Sequence, residues 1–107
     1  MNKTLALVGL ARKAGLLAMG EDAVKDAIRF GKAYITIIAE DASENTKKSI
    51  LNSCKYYNSN HYIFGTKETI GHALGKRFCV AIAVTDKGFA DNIESKLRLN
   101  FNGGDML

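Results

Sequence analysis

Apolar residues recur along the chain at two spacings, one typical of helices and one typical of buried strands. Over residues 3–14, leucine and alanine stand three or four positions apart, and Gly15 follows as a left-handed stop, which predicts a helix. Residues 34–39 are β-branched or otherwise apolar at most positions, which predicts a strand covered on both faces. Both patterns continue towards the C-terminus. They predict helices over residues 20–31, 41–57, 66–74 and from about 86 onwards, and strands over residues 16–19, 61–64 and 78–84.

This order of elements predicts the class of fold. Short, nearly continuous apolar strands alternate with helices, as in α/β proteins whose sheet has helices on both faces. We therefore predict a three-layer α/β/α sandwich with a small four-stranded mixed sheet. At the third helix, Asp41 followed three residues later by Glu44 resembles a capping box. We expect one domain over residues 1–101 and a frayed tail over residues 102–107.

The size and composition of the chain suit one small domain. A hydrophobic content of 47% is enough for one core, and a length of 107 residues is too short for a second domain. Arg12 and Lys13 interrupt the first apolar stretch before the core of a signal peptide could form, and no apolar run approaches the roughly 20 residues of a spanning helix. Cys54 and Cys79 are too few for a disulfide framework, so we expect buried thiols in a cytoplasmic protein.

The charge of the chain favours a polyanionic partner. Fifteen lysines and arginines against eleven aspartates and glutamates give a net charge of +4 and an isoelectric point near 9.1. An excess of this size is also common on solvated surfaces. The positions of the charges must therefore decide the matter.

The spacing of reactive side chains argues against an enzyme. His61 and His72 lie eleven residues apart and the two cysteines twenty-five apart, so neither pair has the short spacing of metal ligands. The glycines do not form a phosphate-binding loop with its terminal Lys-Ser or Lys-Thr. Glu40 and Asp41 follow a strand, where acid and base catalysis is conceivable, but a capping role for Asp41 is the simpler interpretation. We predict no catalytic residues, no metal and no cofactor.

Three groups of motifs follow one another along the chain in the order found in a known family. They are Gly9-Leu10-Ala11-Arg12-Lys13-Ala14-Gly15 with Gly20-Glu21-Asp22-Ala23-Val24, then Gly31-Lys32-Ala33 with Ile37-Ile38-Ala39-Glu40-Asp41-Ala42, and lastly Gly65-Thr66-Lys67-Glu68 with Leu74-Gly75-Lys76. They resemble the kink-turn-binding ribosomal-protein superfamily of archaeal protein "seven-Ae" and eukaryotic protein "thirty-e". The short bacterial YlxQ-like branch matches through two further motifs as well. These are Cys54-Lys55-Tyr56-Tyr57 and Val84-Thr85-Asp86-Lys87-Gly88-Phe89-Ala90.

The resemblance implies a function and a binding surface. Members of the superfamily grip the kink-turn, an RNA element in which two stems flank a sharp bend stabilised by tandem sheared G·A pairs. Their surface combines the start of the second helix with a loop before the last strand. In this sequence, those segments correspond to Gly20, Glu21, Asp22 and Ala23, and to Lys76, Arg77 and Phe78.

Each residue type in these segments suits RNA. The start of a helix offers amides to a phosphate, and Gly20 has no Cβ to hinder the approach. Glu21 or Asp22 can accept hydrogen bonds from guanine N1–H and N2–H, and Phe78 can cover an unstacked base. We expect four cations to neutralise phosphates. These are Lys25, Lys32, Lys76 and Arg77.

The chain also departs from the family pattern. Where the family commonly has Asn-Glu, the chain has Asp22-Ala23, and Asp26 stands where the family usually has lysine. An acidic residue facing phosphates repels them, so either Lys25 takes over the role of that lysine or the affinity for a standard kink-turn is reduced. Simpler roles also exist: Glu21 and Asp22 as charges that compensate the helix dipole, Glu21 and Lys25 as an i,i+4 pair, and Phe78 as core.

We therefore predict a non-catalytic, monomeric, cytoplasmic protein that binds a kink-turn or a similarly bent RNA, which could be ribosomal. The first alternative is a protein-interaction module of the ribosome or the translation apparatus with a weakened RNA site. A small-molecule-binding α/β enzyme is the third interpretation.

Overall fold

The computed structural model of the protein describes residues 2–105, with side chains over residues 2–99. Helices and strands alternate along this part of the chain almost as the apolar pattern predicts. The helices are α1 (Lys3–Lys13), α2 (Glu21–Arg29), α3 (Glu44–Tyr56), α4 (Lys67–Ala73) and α5 (Lys87–Asp105), and the strands are β1 (Leu17–Met19), β2 (Ile35–Ile38), β3 (His61–Ile63) and β4 (Ala81–Val84).

The four strands form one mixed sheet, as predicted, and their order in it is β1-β4-β2-β3. Strand β4 pairs antiparallel with both β1 and β2, while β2 pairs parallel with β3. Every residue of the two central strands is buried, which explains why their sequences are continuously apolar or β-branched. Both cysteines are free and buried, as expected.

Helices cover both faces of the sheet, which confirms the three-layer α/β/α sandwich. On one face α2 packs against α3 and against β4, and on the other α1 packs against α4 and α5. The core between these layers consists of aliphatic side chains with almost no exposed surface, among them Val8, Val24, Ile37, Ile82 and Leu97. Within residues 2–105, no helix is long and apolar enough to cross a membrane.

Two features of the third helix and the last strand differ from the prediction. Helix α3 is capped by Ser43, whose Oγ accepts a hydrogen bond from the Thr46 amide at 3.2 Å, so the predicted capping box at Asp41 is wrong. The Asp41 Oδ1 atom instead accepts a hydrogen bond of 2.7 Å from the amide of Lys67, the first residue of α4. Strand β4 begins at Ala81 and not at Phe78, because the chain before it forms a turn against α4.

The last helix continues further than expected. It runs to Asp105 and so includes residues 102–105 of the predicted tail, while residues 106 and 107 lie outside the described part of the chain. A domain boundary at residue 101 stays a prediction.

The sheet has two ends that carry different helix termini. Strand pairing brings Met19, Ile38 and Ala81 to one end, where α2 and α3 begin; we call it the Gly20 end. The opposite end lies near Ile35 and Val84, which pair with each other, and α2 and α3 finish there; we call it the Gly31 end. The two helices therefore run parallel to each other across the sheet.

Candidate nucleic-acid interface

Helix α2 begins at the Gly20 end with amides that no side chain caps. Gly20 is the N-cap residue and has a φ of 92°, a conformation that favours glycine. A Cβ atom built at Gly20 would have nothing within 4 Å, so the space beside it is open. The first turn therefore presents backbone N–H groups to any ligand that approaches from this side.

The turn before β4 is held firmly against α4. The Lys76 amide donates to the Gly71 carbonyl oxygen at 2.8 Å, and the Cys79 amide donates to the Lys67 carbonyl oxygen at 3.0 Å. Between these two bonds, the Phe78 side chain is 62% exposed. The interpretation of Phe78 as a core residue is therefore wrong. Its ring and the exposed side chains of Lys76 and Arg77 face solvent from an ordered backbone.

The two predicted segments lie at the same end of the molecule. The Gly20 amide donates to the Ala81 carbonyl oxygen at 2.9 Å. Only two residues separate Phe78 from Ala81, and three residues span at most about 11 Å. The start of α2 and the turn over residues 76–78 are therefore near neighbours, as their sequence motifs led us to expect.

Two of the predicted binding side chains also connect α2 to α3. The Glu21 Oε1 atom accepts a hydrogen bond of 2.9 Å from the Thr46 hydroxyl, and the Lys25 Nζ atom donates one of 2.7 Å to the Ser49 hydroxyl. Both side chains are partly buried. The interpretation of Glu21 and Lys25 as a simple pair on one helix therefore misses their role, which is to fix the packing of two helices.

The structure does not bring Lys32 to this surface. The residue follows the C-terminus of α2, and its amide donates to the Ala27 carbonyl oxygen at 2.8 Å. Nine helical residues span about 13 Å, so the length of α2 separates Lys32 from Gly20. Lys32 lies at the Gly31 end.

The Gly20 end carries charges of both signs. Asp22 is exposed in the first turn of α2, and Glu40 and Asp41 are exposed in the loop after β2. Lys76 and Arg77 supply positive charge from the turn before β4. A ligand at this end therefore meets hydrogen-bond acceptors as well as cations, and not a uniformly positive surface.

Sequence reasoning did not reveal the roles of two residues that shape this site. Gly71 lies in the interior of α4, and the turn packs directly on it; a glycine inside a short helical pattern was the available signal. Asp41 anchors the start of α4 from a loop 26 residues earlier in the chain. No local pattern reveals a contact over that distance.

Reactive groups elsewhere in the described structure do not suggest catalysis. Within residues 2–105, no three His, Cys, Asp or Glu side chains gather as metal ligands would. Burial raises the pKa of the Cys54 thiol, which disfavours the nucleophilic thiolate. His61 and His72 are exposed, at the start of β3 and on α4.

Comparison with known families identifies the chain. The model of the Ribosomal protein L7Ae/L30e/S12e/Gadd45 family matches residues 2–94. The chain belongs to this family. Membership confirms the resemblance of its motifs, and it supports the expectation that the protein is a binding protein and not an enzyme.

Two curated relatives share more than a third of their residues with the chain. The RNA-binding protein YlxQ of Bacillus subtilis is 38% identical over 91 residues, which cover 85% of this chain and 91% of the relative. The RNA-binding protein YlxQ of Enterococcus faecium is 39% identical over 88 residues, which cover 82% of this chain and 84% of the relative. Within the family, the chain therefore falls in the YlxQ-like branch.

Solved structures confirm the fold. A Bacillus halodurans protein of unknown function superposes with a TM-score of 0.85 at 35% identity, over 89% of this chain and 96% of that one. The 15.5kD RNA binding protein of Giardia lamblia superposes with a TM-score of 0.71 at 20% identity, over 87% of this chain and 79% of that one. At that identity, the second likeness concerns the fold alone.

Proposed function

We propose that the protein binds a sharply bent, structured RNA of the kink-turn type through its Gly20 end, and that it catalyses no reaction. The observation that carries the proposal is the nearness of two segments, the uncapped start of α2 and the exposed turn with Phe78. The YlxQ relatives, which are named RNA-binding proteins, support the choice of ligand.

The phosphates of the RNA would meet backbone amides and two exposed cations. The open space beside Gly20 lets a phosphodiester approach the first amides of α2, which carry the positive end of the helix dipole. Lys76 and Arg77 reach the flanking phosphates from the neighbouring turn. Phosphate contacts of this kind position a protein on RNA without reading its sequence.

The bases of the bend would meet carboxylates and an aromatic ring. The exposed Asp22 carboxylate can accept the N1–H and N2–H donors of a guanine that a sheared pair leaves accessible. The Thr46 hydroxyl donates to Oε1 of Glu21 and so fixes the orientation of that carboxylate. The other carboxylate oxygen can still accept a hydrogen bond from a base. Phe78 offers a face for one unstacked base.

The proposed surface is smaller than the sequence predicted. It consists of Gly20, Glu21, Asp22, Lys76, Arg77 and Phe78. Lys25 is omitted because its ammonium group is engaged by Ser49 in α3, and Lys32 is omitted because it lies at the Gly31 end.

One observation favours a second candidate function, a protein-interaction module of the translation apparatus. The exposed carboxylates of Asp22, Glu40 and Asp41 near the start of α2 would suit a basic protein partner. The same groups repel phosphates, so affinity for RNA at this end must come from base contacts as well as from charge.

A calorimetric titration separates the two candidates. The full-length protein is titrated with a consensus kink-turn duplex and with a duplex whose tandem G·A pairs are replaced by Watson–Crick pairs. We expect tight binding to the first and a loss of at least tenfold for the second. Equal affinity for both duplexes would reduce the protein to a phosphate binder, and no binding to either would favour the protein-interaction function.

Two exposed side chains give a matched pair of variants for that titration. Phe78→Ala should weaken kink-turn binding by about 1–3 kcal/mol, the usual contribution of stacking one base on an aromatic ring. Leu99→Ala removes an equally exposed apolar side chain from α5 and should leave the affinity unchanged. An equal effect of the two substitutions would contradict the proposed surface.

A further inference from the structure

We infer that the Gly31 end carries a second RNA-contact surface, which binds an unpaired stretch of RNA by stacking its bases on exposed aromatic rings. The surface lies where α2 and α3 finish. We call it the aromatic patch, and its members are Arg29, Phe30, Lys32, Lys55, Tyr56 and Tyr57. This inference rests on the proposed function, RNA binding, but it concerns the opposite end of the molecule.

Three aromatic rings of the patch are exposed to solvent. Phe30 is 61% exposed, Tyr56 80% and Tyr57 44%. The two tyrosine rings lie edge to face with their centroids 4.7 Å apart. Large aromatic side chains usually contribute to the core, and several at one end of a small protein indicate a binding surface. The packing of the fold does not require them, because the core beneath is filled by aliphatic residues.

Arg29 lies beside the ring of Phe30 and borders the groove between the two helices. Its guanidinium carbon lies 4.8 Å from the centroid of the Phe30 ring, in a cation–π arrangement. Arg29 also lines a groove between α2 and α3 together with Ser53 and Tyr57. Arg29 therefore contacts Phe30 at the end of one helix and lines the same groove as Tyr57 at the end of the other.

The charge at this end suits a polyanion better than the charge at the Gly20 end does. Exposed cations come from the last turns of α1, α2 and α3 and from the loop after α2: Arg12, Lys13, Arg29, Lys32 and Lys55. Compensation of helix dipoles accounts for cations in last turns, but it does not account for exposed rings between them. Asp22 and Asp26 line the groove as it extends towards the Gly20 end, so within this groove the favourable position for a phosphate is beside Arg29.

The combination of rings and cations defines the class of ligand. Aromatic side chains stack on any unpaired base, since every base has a π-face, while lysine and arginine follow the backbone. In a duplex, both faces of each base are already stacked. The patch therefore selects a single-stranded segment, such as one that flanks a folded element bound at the other end.

Fluorescence anisotropy with two short RNAs tests the inference. One is a single-stranded oligouridine of twelve nucleotides, and the other is a blunt kink-turn duplex without single-stranded ends. We expect Phe30→Ala and Tyr56→Ala each to weaken oligouridine binding at least fivefold and to leave kink-turn binding unchanged. Phe78→Ala should weaken kink-turn binding and leave oligouridine binding unchanged. The chain has no tryptophan, so quenching of tyrosine fluorescence gives a second readout of stacking.

Leu99→Ala serves as the control, because Leu99 is as exposed as Phe30 but lies on α5. The inference is overturned if Phe30→Ala and Tyr56→Ala lower oligouridine affinity no more than this control, or if the wild-type protein prefers a twelve-pair duplex to the single strand. If the wild-type protein binds oligouridine but not the kink-turn, the proposed function is contradicted, while the inference about the aromatic patch still holds.

Discussion

Gly71 lies so close to Phe78 that a Cβ atom at position 71 would be 2.8 Å from the backbone nitrogen and Cα of Phe78. The turn that exposes the Phe78 ring therefore packs directly on the backbone of α4, at a position where the helix has no side chain. Any side chain at position 71 would push the turn outward, because backbone atoms cannot rotate away as a flexible side chain can.

Gly71→Ala tests this seating. Alanine favours an α-helix over glycine by about 0.8–1 kcal/mol, so on helix propensity alone the variant would be more stable. We expect the opposite, a loss of about 1–3 kcal/mol in the free energy of unfolding, since the methyl group overpacks the contact with residues 77 and 78. Urea denaturation measures the change, and a stabilised variant would show that the turn yields without cost.

Arg77→Ala tests the electrostatic contribution of the same turn. Removal of one phosphate contact should lower the slope of the logarithm of the binding constant against the logarithm of salt concentration by about 1. The melting temperature should not change, because the side chain is exposed. Lys55→Ala, at the Gly31 end, is the matched control with a blunt kink-turn duplex. Identical salt slopes for the wild type and Arg77→Ala would remove this cation from the surface.

Asp26→Lys tests the departure of this chain from its family. Asp26 is exposed on α2, where the resemblance of the motifs led us to expect a lysine, and it lines the groove beside Asp22 and Lys25. Replacing the carboxylate by an ammonium group should tighten kink-turn binding, because it removes a repulsion and adds an attraction to phosphate. Calorimetry measures the affinity. A weaker complex would indicate that this side chain faces away from the RNA.

Asp41→Ala tests the anchoring of α4. The carboxylate accepts a 2.7 Å hydrogen bond from the Lys67 amide, and loss of a side-chain bond to the first turn of a helix costs about 1 kcal/mol. Asp41→Asn retains an acceptor and should recover most of the stability. Glu40→Ala removes the neighbouring exposed carboxylate and should have little effect on thermal unfolding. Equal melting temperatures for Asp41→Ala and Glu40→Ala would mean that the bond contributes nothing.

Cys54 provides a prediction about pH. Burial raises the pKa of its thiol above the ordinary value of 9.0, so the unfolded chain releases this proton at a lower pH than the folded protein. The contribution to stability is complete below pH 9 and declines as the pH rises through the folded-state pKa. Denaturation at pH 8 and pH 10 should show this decline, and Cys54→Ala should reduce it. At pH 8, a thiol reagent should label Cys54 only after unfolding.

Local patterns predicted the fold because the elements follow from residues that are near each other in sequence. The buried run that became Ile35–Ile38 and the glycine after α1 needed no knowledge of the rest of the chain. The start of α3 was misplaced because Asp41 and Ser43 are both good caps. The choice between them depends on the Lys67 amide, which only the folded chain brings to Asp41.

The site was predicted less completely, for a related reason. In the sequence, Lys25 and Lys32 look alike, as two cations in or next to a helix. In the structure, Lys25 donates a hydrogen bond to Ser49, and the length of α2 separates Lys32 from the site. The apolar run from Phe78 resembled a strand, and only contact with α4 turned its first residue outward. Distances within helices are readable from sequence, whereas contacts between helices are not.

Glu21 accepts a hydrogen bond from Thr46 and Lys25 donates one to Ser49, and these two bonds, one turn apart on α2, join it to α3 at two levels. Two contacts at different heights fix both the register and the angle of these parallel helices. The start of α2 and the helix ends that carry Phe30 and Tyr57 therefore have a defined separation, which sets how far apart two parts of one RNA must lie to reach both.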